Sequence, residues 1–196
     1  MTSIERMNCL YNSLEYIRKN QIDGDYVECG VYKGGNILGI LKYLEHHNLT
    51  ADVWAYDTFA GMTAPEDIDV DYNGSLAINI LDEVMCLSPL EEFIETISSS
   101  NYPKEKVKIV VGDICQTLLD VGNIPDRIAL LRLDTDWYAS TKIELEVLWE
   151  KLVPGGIMII DDYGHWQGCK KAVDEFFDGK NQKFYQIDYT GILTFK

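Results

Sequence analysis

"RIALLRLDTDWYASTKIELEVLWEKLVPGGIMIIDD", residues 127–162, decides the fold. It opens with an apolar run of strand length, "RIALLRLD" (127–134), that closes on two acids, Asp134 and Asp136. A helical pattern, "STKIELEVLWEKL" (140–152), follows and is stopped by Pro154 and Gly155. A second apolar run, "GIMIIDD" (156–162), ends in another pair of acids, Asp161 and Asp162. Strand, helix and strand in that order form a βαβ unit, whose two strands lie parallel. Continuous apolar runs, rather than alternation, mean that both faces of those strands are covered.

The same rhythm extends outward. Strands are expected at "DYVECG" (25–30), "DVWAYDTF" (52–59) and "KVKIVVGD" (106–113). Helices are expected at "NILGILKYLEHH" (36–47) and at "GCKKAVDEFF" (168–177), the latter ending near Gly179. A further helix, "SPLEEFIETISSS" (88–100), takes Ser88 as its N-cap and Pro89 as its first residue. Alternation of this kind predicts a doubly wound α/β fold with a mostly parallel sheet and helices on both faces. The tail, "KFYQIDYTGILTFK" (183–196), breaks the rhythm. Two strand-like runs flank "YTG" with no helix between them, so they pair antiparallel. No linker divides the 196 residues, a length that suits one domain over 1–196. Residues 1–23 are expected to form an N-terminal helix with Ile4, Met7, Tyr11, Leu14 and Ile17 on one face.

Composition narrows the partners. A net charge of −15 repels phosphate backbones and anionic lipid, which excludes nucleic acid and membrane surfaces. No apolar run is long enough to span a bilayer. Charges from Glu5 onward rule out a signal peptide at the N-terminus. The five cysteines are widely spaced and include no C-x-x-C, which argues against disulfides or a thiolate zinc site and for a reducing compartment. A soluble cytoplasmic protein is expected. Cys29 reads as a small buried side chain rather than a reactive thiol.

In open α/β sheets the ligand sits outside the carboxyl ends of the strands. Glu28, Asp57, Asp113, Asp134 and Asp161 all fall there. Like charges gathered on one edge cost stability unless cations compensate them, so cation binding is expected. The loop "ECGVYKGG" (28–35) is not G-x-G-x-x-G, because Tyr32 stands at the middle glycine position. A structural turn explains its spacing as well as a ligand does. Glu28 repels phosphate and suits an ammonium group; Asp57 stands where ribose hydroxyls are held. Asp113, after Gly112, suits an adenine amino group. A ligand with ribose, adenine and positive charge but no phosphate describes S-adenosylmethionine. Its expected contacts are Glu28, Gly30, Val31, Tyr32, Asp57, Thr58, Gly112, Asp113 and Asp134.

The segments "VECGVYKGG", "AYDTFAGM", "GDICQTL", "LLRLDTDWYAST" and "PGGIMIIDDYGHWQGCKKAVDEFF" occur in this order from about residue 24 to the end. Together they resemble the macrocin O-methyltransferase family, metal-dependent enzymes that methylate sugar hydroxyls of macrolide and aminocoumarin natural products. The resemblance implies a class I methyltransferase (Rossmann-like) fold with seven strands, the last antiparallel. Carried over by position, it implies Asp134, Asp161 and Asp162 as ligands of a magnesium ion and Asp136 as the general base. It also implies Glu28, Gly30, Asp57 and Asp113 as contacts of S-adenosylmethionine. Two features depart from the family on the acceptor side. Only about 25 residues precede the first strand, where the family carries a longer segment over the active site, and Trp137 stands where an aliphatic residue is common.

The expected activity is magnesium-assisted methyl transfer to a hydroxyl of a small-molecule or glycan acceptor, a sugar or glycosylated metabolite. If the chain stays extended past Asp134, Asp136 points to the same side and takes the hydroxyl proton. A non-catalytic S-adenosylmethionine-binding or scaffold module on the same fold is the alternative. A nicotinamide oxidoreductase is disfavoured by the missing glycine fingerprint. A homodimer or higher homo-oligomer remains open.

Several residues carry two readings. Asp161 or Asp162 could cap a helix starting near Trp166. His165 is a second base, a substrate contact or a partly exposed loop histidine. Trp137 and Tyr138 form an acceptor wall or pack under the following helix. "DVDYNG" (69–74) begins like a calcium loop, but Ile80 stands where the bidentate glutamate belongs. "APEDIDVDYNG" (64–74) is a mobile acidic loop over the active site or a solvated surface loop.

Overall fold

The computed structural model describes residues 3–196. In chain order the elements are α1 (Ile4–Lys19), β1 (Asp25–Cys29), α2 (Gly35–His46) and β2 (Val53–Asp57). The single-turn α3 (Leu81–Val84), α4 (Leu90–Ile97), β3 (Val107–Val111) and the single-turn α5 (Ile114–Thr117) follow. The chain continues through β4 (Ile128–Leu133), α6 (Tyr138–Leu148), β5 (Leu152–Ile160), α7 (Gln167–Phe177), β6 (Tyr185–Gln186) and β7 (Ile192–Phe195). The seven strands form one sheet in the order β3-β2-β1-β4-β5-β7-β6. The first five run parallel, and β7 is antiparallel to both β5 and β6. This is the class I methyltransferase arrangement expected from the sequence. The tail hairpin takes its predicted antiparallel form.

Every residue of β4 is buried, which explains why all but Arg132 are apolar. Alternate strand residues serve two cores. Val27, Leu131, Leu133, Met158 and Ile160 pack under α6 and α7 against Leu145, Leu148, Cys169 and Val173. Tyr26, Ala55, Leu130, Ile157 and Ile159 pack under α1, α2 and α4 against Ile17, Ile37, Leu41 and Phe93. Each fully buried aliphatic side chain contributes about 1.5–3 kcal/mol. Cys29 belongs to the first core and is fully buried.

Several boundaries differ from the sequence reading, each for a local reason. On α1 the buried face is Leu10, Ser13, Leu14 and Ile17, while Ile4, Met7 and Tyr11 are 63%, 53% and 55% exposed. Its N-terminal half projects toward the carboxyl edge of the sheet instead of lying on it. The helix expected over 1–23 ends at Lys19, and its residues 1–2 lie outside the described ones. The N-cap of α4 is Pro89, and the Ser88 hydroxyl instead donates to Glu92 Oε2 at 3.0 Å. Pro154 and Gly155 do not stop a helix but lie within β5. There the register against β4 jumps from Ile128↔Leu152 to Leu130↔Ile157, a bulge that places the proline where no ladder N–H is needed.

The acidic stretch 64–74 is pinned rather than mobile. Asp69, fully buried, accepts N–H groups from Tyr138 and Glu66 at 2.8 Å. Asp71 accepts from Asn73 and Ser75 at 2.8 Å, and an antiparallel bridge joins it to Trp166. The acids that open the calcium-like pattern therefore serve backbone donors of their own turn and of α6. A side chain at Gly168 would come within 1.8 Å of Asp69 Oδ1, so glycine there allows the loop to seat. Among the described residues, no helix is long and apolar enough to cross a membrane.

Candidate active site

The strand order reverses between β1 and β4, and a crevice opens there at the carboxyl ends. Gly30 shapes it. Its φ is +81°, and a Cβ would fall 1.9 Å from the Asp134 carbonyl oxygen, so only glycine lets the first loop lie on the end of β4. A cavity of about 470 Å³ fills the crevice. It is lined by Glu28, Gly30, Val31 and Tyr32 after β1, and by Asp57 and Thr58 after β2. Gly112 and Asp113 after β3, Asp134 and Asp136 after β4, and Asp161 and Asp162 after β5 complete the set. Every residue expected from the sequence as a donor contact, ion ligand or base thus lines one cavity. A second cavity, about 380 Å³, adjoins it and is walled by Leu87, His165, Trp166 and Tyr189. Arg6, Tyr32, Cys86, Asp136 and Asp162 line both. Tyr32, Cys86 and Asp136 have φ of 47°, 47° and 67°, so left-handed non-glycine backbone gathers at this shared wall.

On the β2–β3 side the acids are held by backbone N–H groups, whereas Glu28 of β1 is held by side chains. Asp57 accepts the N–H groups of Tyr32 and Phe59 through its two oxygens, both at 2.8 Å. Asp113 caps α5 by accepting the Cys115 N–H at 2.9 Å. Glu28 is buried, and its Oε1 accepts from Arg132 at 2.6 Å and from Asn36 at 2.9 Å. Its Oε2 has no partner. Burial pushes the Glu28 carboxyl up to about 7, with Arg132 opposing.

The β4–β5 side is organised by two residues that the sequence reading missed. Arg132, buried next to the carboxyl end of β4, reaches Glu28, Asp134 and Asp161, each at 2.6 Å. Arg6 of α1 donates through Nε to Asp188 at 2.8 Å and through a terminal nitrogen to Asp161. The Ser3 hydroxyl donates to the same Asp188 at 2.9 Å. The cations expected to compensate the acidic rim are therefore, in the first instance, arginines of the chain itself. A signal for Arg132 existed: a charge inside a fully apolar strand must be paired. Arg6 stands among other charges of a helix and gave none.

Two arginines do not balance the rim, where they face the carboxyls of Glu28, Asp134, Asp136, Asp161 and Asp162. Burial raises Asp161 to about 6 against the pull of Arg132. Burial, followed by the charges of Asp136, Asp134 and Asp161, raises Asp162 well above the usual carboxylate range. One carboxylate oxygen each from Asp134, Asp161 and Asp162 lies within 4.8 Å of the others. This hard-oxygen set with surplus negative charge fits a divalent cation of the magnesium type.

Asp136 reaches the cleft by a route other than the expected extended chain. Its left-handed backbone turns it, and the Trp137 N–H closes the turn on the Thr135 carbonyl at 2.8 Å. Its Oδ1 accepts the Trp166 indole N–H at 2.7 Å. Burial raises its carboxyl to about 6, opposed by hydrogen bonds from Asp162 and Trp166.

The residues with two readings resolve as follows. Trp137 is 2% exposed, donates to the Thr63 carbonyl at 3.0 Å and packs edge-on against Trp166, the packing reading. The Tyr138 hydroxyl donates outward to Glu175. Neither Asp161 nor Asp162 caps α7 through its side chain; the Asp162 carbonyl accepts the N–H groups of His165 and Trp166 at 3.0 Å. His165 is half-buried among the rings of Tyr72, Trp166 and Tyr189, and burial lowers its pKa.

The family model described as macrocin-O-methyltransferase (TylF) matches residues 1–196. The chain is 32% identical over 205 residues to the 8-demethyl-8-(2,3-dimethoxy-alpha-L-rhamnosyl)-tetracenomycin-C 4'-O-methyltransferase of Streptomyces olivaceus, covering 98% of this chain and 74% of the relative. It is 32% identical over 179 residues to the demethyldecarbamoylnovobiocin O-methyltransferase of Streptomyces niveus, covering 90% of this chain and 66% of the relative. Among solved structures, the O-methyltransferase NovP superposes with a TM-score of 0.84 at 28% identity, over 99% of this chain and 80% of that one.

Proposed function

The chain belongs to the macrocin O-methyltransferase family, and from that premise we propose that its paired cavities bring a methyl donor and a sugar hydroxyl together. It is an S-adenosylmethionine-dependent O-methyltransferase. In this reading the larger cavity takes S-adenosylmethionine, and the smaller takes a hydroxyl of a sugar or glycosylated small molecule. One observation carries the proposal: Asp136 and Asp162 stand on the wall common to both cavities. The reading takes residues 1–196 as one methyltransferase domain. It also implies the cytoplasm, where the donor is made and the free cysteines stay reduced.

The donor's groups match the free valences of the lining. Glu28 Oε2, buried and without a partner, suits the donor ammonium. The Asp57 oxygens each accept one backbone N–H and retain a lone pair for ribose hydroxyls. Asp113 lies on the same rim for the adenine amino group. Tyr32, Trp166, Tyr189 and Leu87 surround the acceptor side with ring faces and apolar surface, which suit the C–H face of a sugar and limit water. The reaction is an in-line displacement. The acceptor oxygen forms its bond to the methyl carbon as the sulfur–carbon bond breaks, and S-adenosylhomocysteine leaves with a neutral sulfur. Asp136 takes the hydroxyl proton; a carboxyl raised to about 6 is still ionised at neutral pH and is a better base than an exposed aspartate. Asp134, Asp161 and Asp162 would hold a magnesium ion, which supplies Lewis acidity that lowers the pKa of an alcohol.

Calorimetry with S-adenosylhomocysteine, with and without magnesium, combined with turnover of rhamnosyl glycosides, tests the proposal. Asp136→Asn is expected to retain both binding events and to lose turnover by ~10²–10⁴-fold, the usual worth of a general base. Absence of donor binding would end the reading. Full turnover in Asp136→Asn would remove that residue from its role.

A further inference from the structure

The aspartate assigned as base occupies an unstable position. Its backbone is left-handed at φ 67°. Its carboxyl shares the cavity wall with those of Asp134, Asp161 and Asp162. Without a further constraint it could turn toward one of those neighbours rather than toward an acceptor hydroxyl. One side chain supplies the constraint. Trp166 Nε1–H donates to Asp136 Oδ1 at 2.7 Å. An indole is a donor only, so it neither takes a proton nor changes charge over any working pH.

Trp166 is itself fixed from several directions. It is 3% exposed. Its backbone N–H bonds to the Asp162 carbonyl at 3.0 Å, in the turn that carries a proposed ion ligand. A bridge to Asp71 ties it to the acidic loop, and the neighbouring Gln167 N–H bonds to Val70 at 2.9 Å. Its ring meets Trp137, the residue after the base, edge-on at 4.9 Å between centroids. The indole also walls the smaller cavity, so the donor and the acceptor subsite share one rigid ring.

We propose that Trp166 is the positioning residue for Asp136: its indole N–H holds Oδ1, which leaves Oδ2 for the acceptor hydroxyl. The inference rests on the reading of Asp136 as base. It assigns the 162–166 turn a double task, since one short segment carries both an ion ligand and the orienter of the base. A tryptophan that only filled space would affect stability and both substrates alike. A positioning tryptophan affects the chemical step alone.

Trp166→Phe keeps an aromatic ring and removes the N–H. Its kcat is expected to fall by ~10–100-fold, the scale of a misplaced catalytic group. Acceptor KM, and calorimetric binding of S-adenosylhomocysteine and of magnesium, should stay within about threefold. Trp137→Phe, which loses a bond to Thr63 but no contact with the base, should keep kcat within about threefold. In an Asp136→Asn background, Trp166→Phe should cost nothing more, because the two act as one unit. Should Trp166→Phe not fold, β-(3-benzothienyl)alanine at 166 keeps the bicyclic shape without the N–H and should show the same loss of kcat. Wild-type kcat in either 166 variant, or matching losses in kcat, KM and binding, would overturn the inference. If Asp136→Asn turns over normally, the base assignment itself has failed, whereas an inactive Asp136→Asn beside a fully active 166 variant sinks this inference alone.

Discussion

Asp57 and Asp134 both stand at the carboxyl end of a strand, yet they are held in opposite ways. Asp57, the last residue of β2, takes two backbone N–H groups, one from the residue two positions on and one from the adjacent loop. Asp134, beyond β4, is bound by a buried guanidinium that also grips Glu28 and Asp161. One half of the cleft holds its carboxylates with backbone N–H groups, mostly local ones. The other is a charge cluster whose members come from β1, β4, β5 and α1. A local turn can lose one partner and relax. A buried charge cluster leaves several ions unsatisfied when a single member goes.

The comparison predicts a hierarchy of damage. Arg132→Met should be the most destructive, because it strands three carboxylates at once. A loss of ~3–5 kcal/mol in unfolding free energy is expected for a broken buried pair, read as a lower denaturation midpoint. Asp57→Ala should cost less, ~1–2 kcal/mol for two N–H groups that partly recover water, while weakening S-adenosylhomocysteine by at least about tenfold. If Asp57→Ala proved the more destabilising, the contrast between the two halves would be wrong.

The smallest expected effect lies beneath the cluster. Glu144 on α6 is fully buried, accepts the Thr135 hydroxyl at 2.9 Å through Oε1, and has no partner at Oε2. Burial pushes its carboxyl up to about 8 from an ordinary value of 4.5. The folded state therefore binds the extra proton between those values. The associated stability is complete below 4.5 and is lost as pH rises through about 8. Glu144→Gln should flatten the fall in melting temperature between mildly acidic and mildly alkaline pH by a few degrees. An unchanged slope would place the titration elsewhere.

Legibility in the sequence follows the same division. Alternating strands and helices, the acids at strand ends and Gly30 were readable because each signal lies within a few residues. The cleft's long-range partners were not: Arg132 meets Glu28 across 104 positions, and Arg6 meets Asp161 across 155. Asp136 shows a subtler limit. Its convergence with Asp134 was foreseen, but by an extended chain, whereas the protein uses a left-handed turn that Asp tolerates better than most residues. The acidic loop misled for the opposite reason. Its composition suggests solvent, and only the tertiary contacts of Asp69 and Asp71 show that it is anchored.

The tie from Ser3 and Arg6 to Asp188 has a consequence for synthesis. Translation delivers Arg6 early, whereas Asp188 is among the late residues and lies 182 positions further on. Arg6 can meet Asp161 once β5 is made, but its Nε and the Ser3 hydroxyl lack their shared carboxylate until the tail hairpin has left the ribosome. The hairpin acts as a clasp: the Arg6 guanidinium has both of its carboxylate partners only when that clasp shuts.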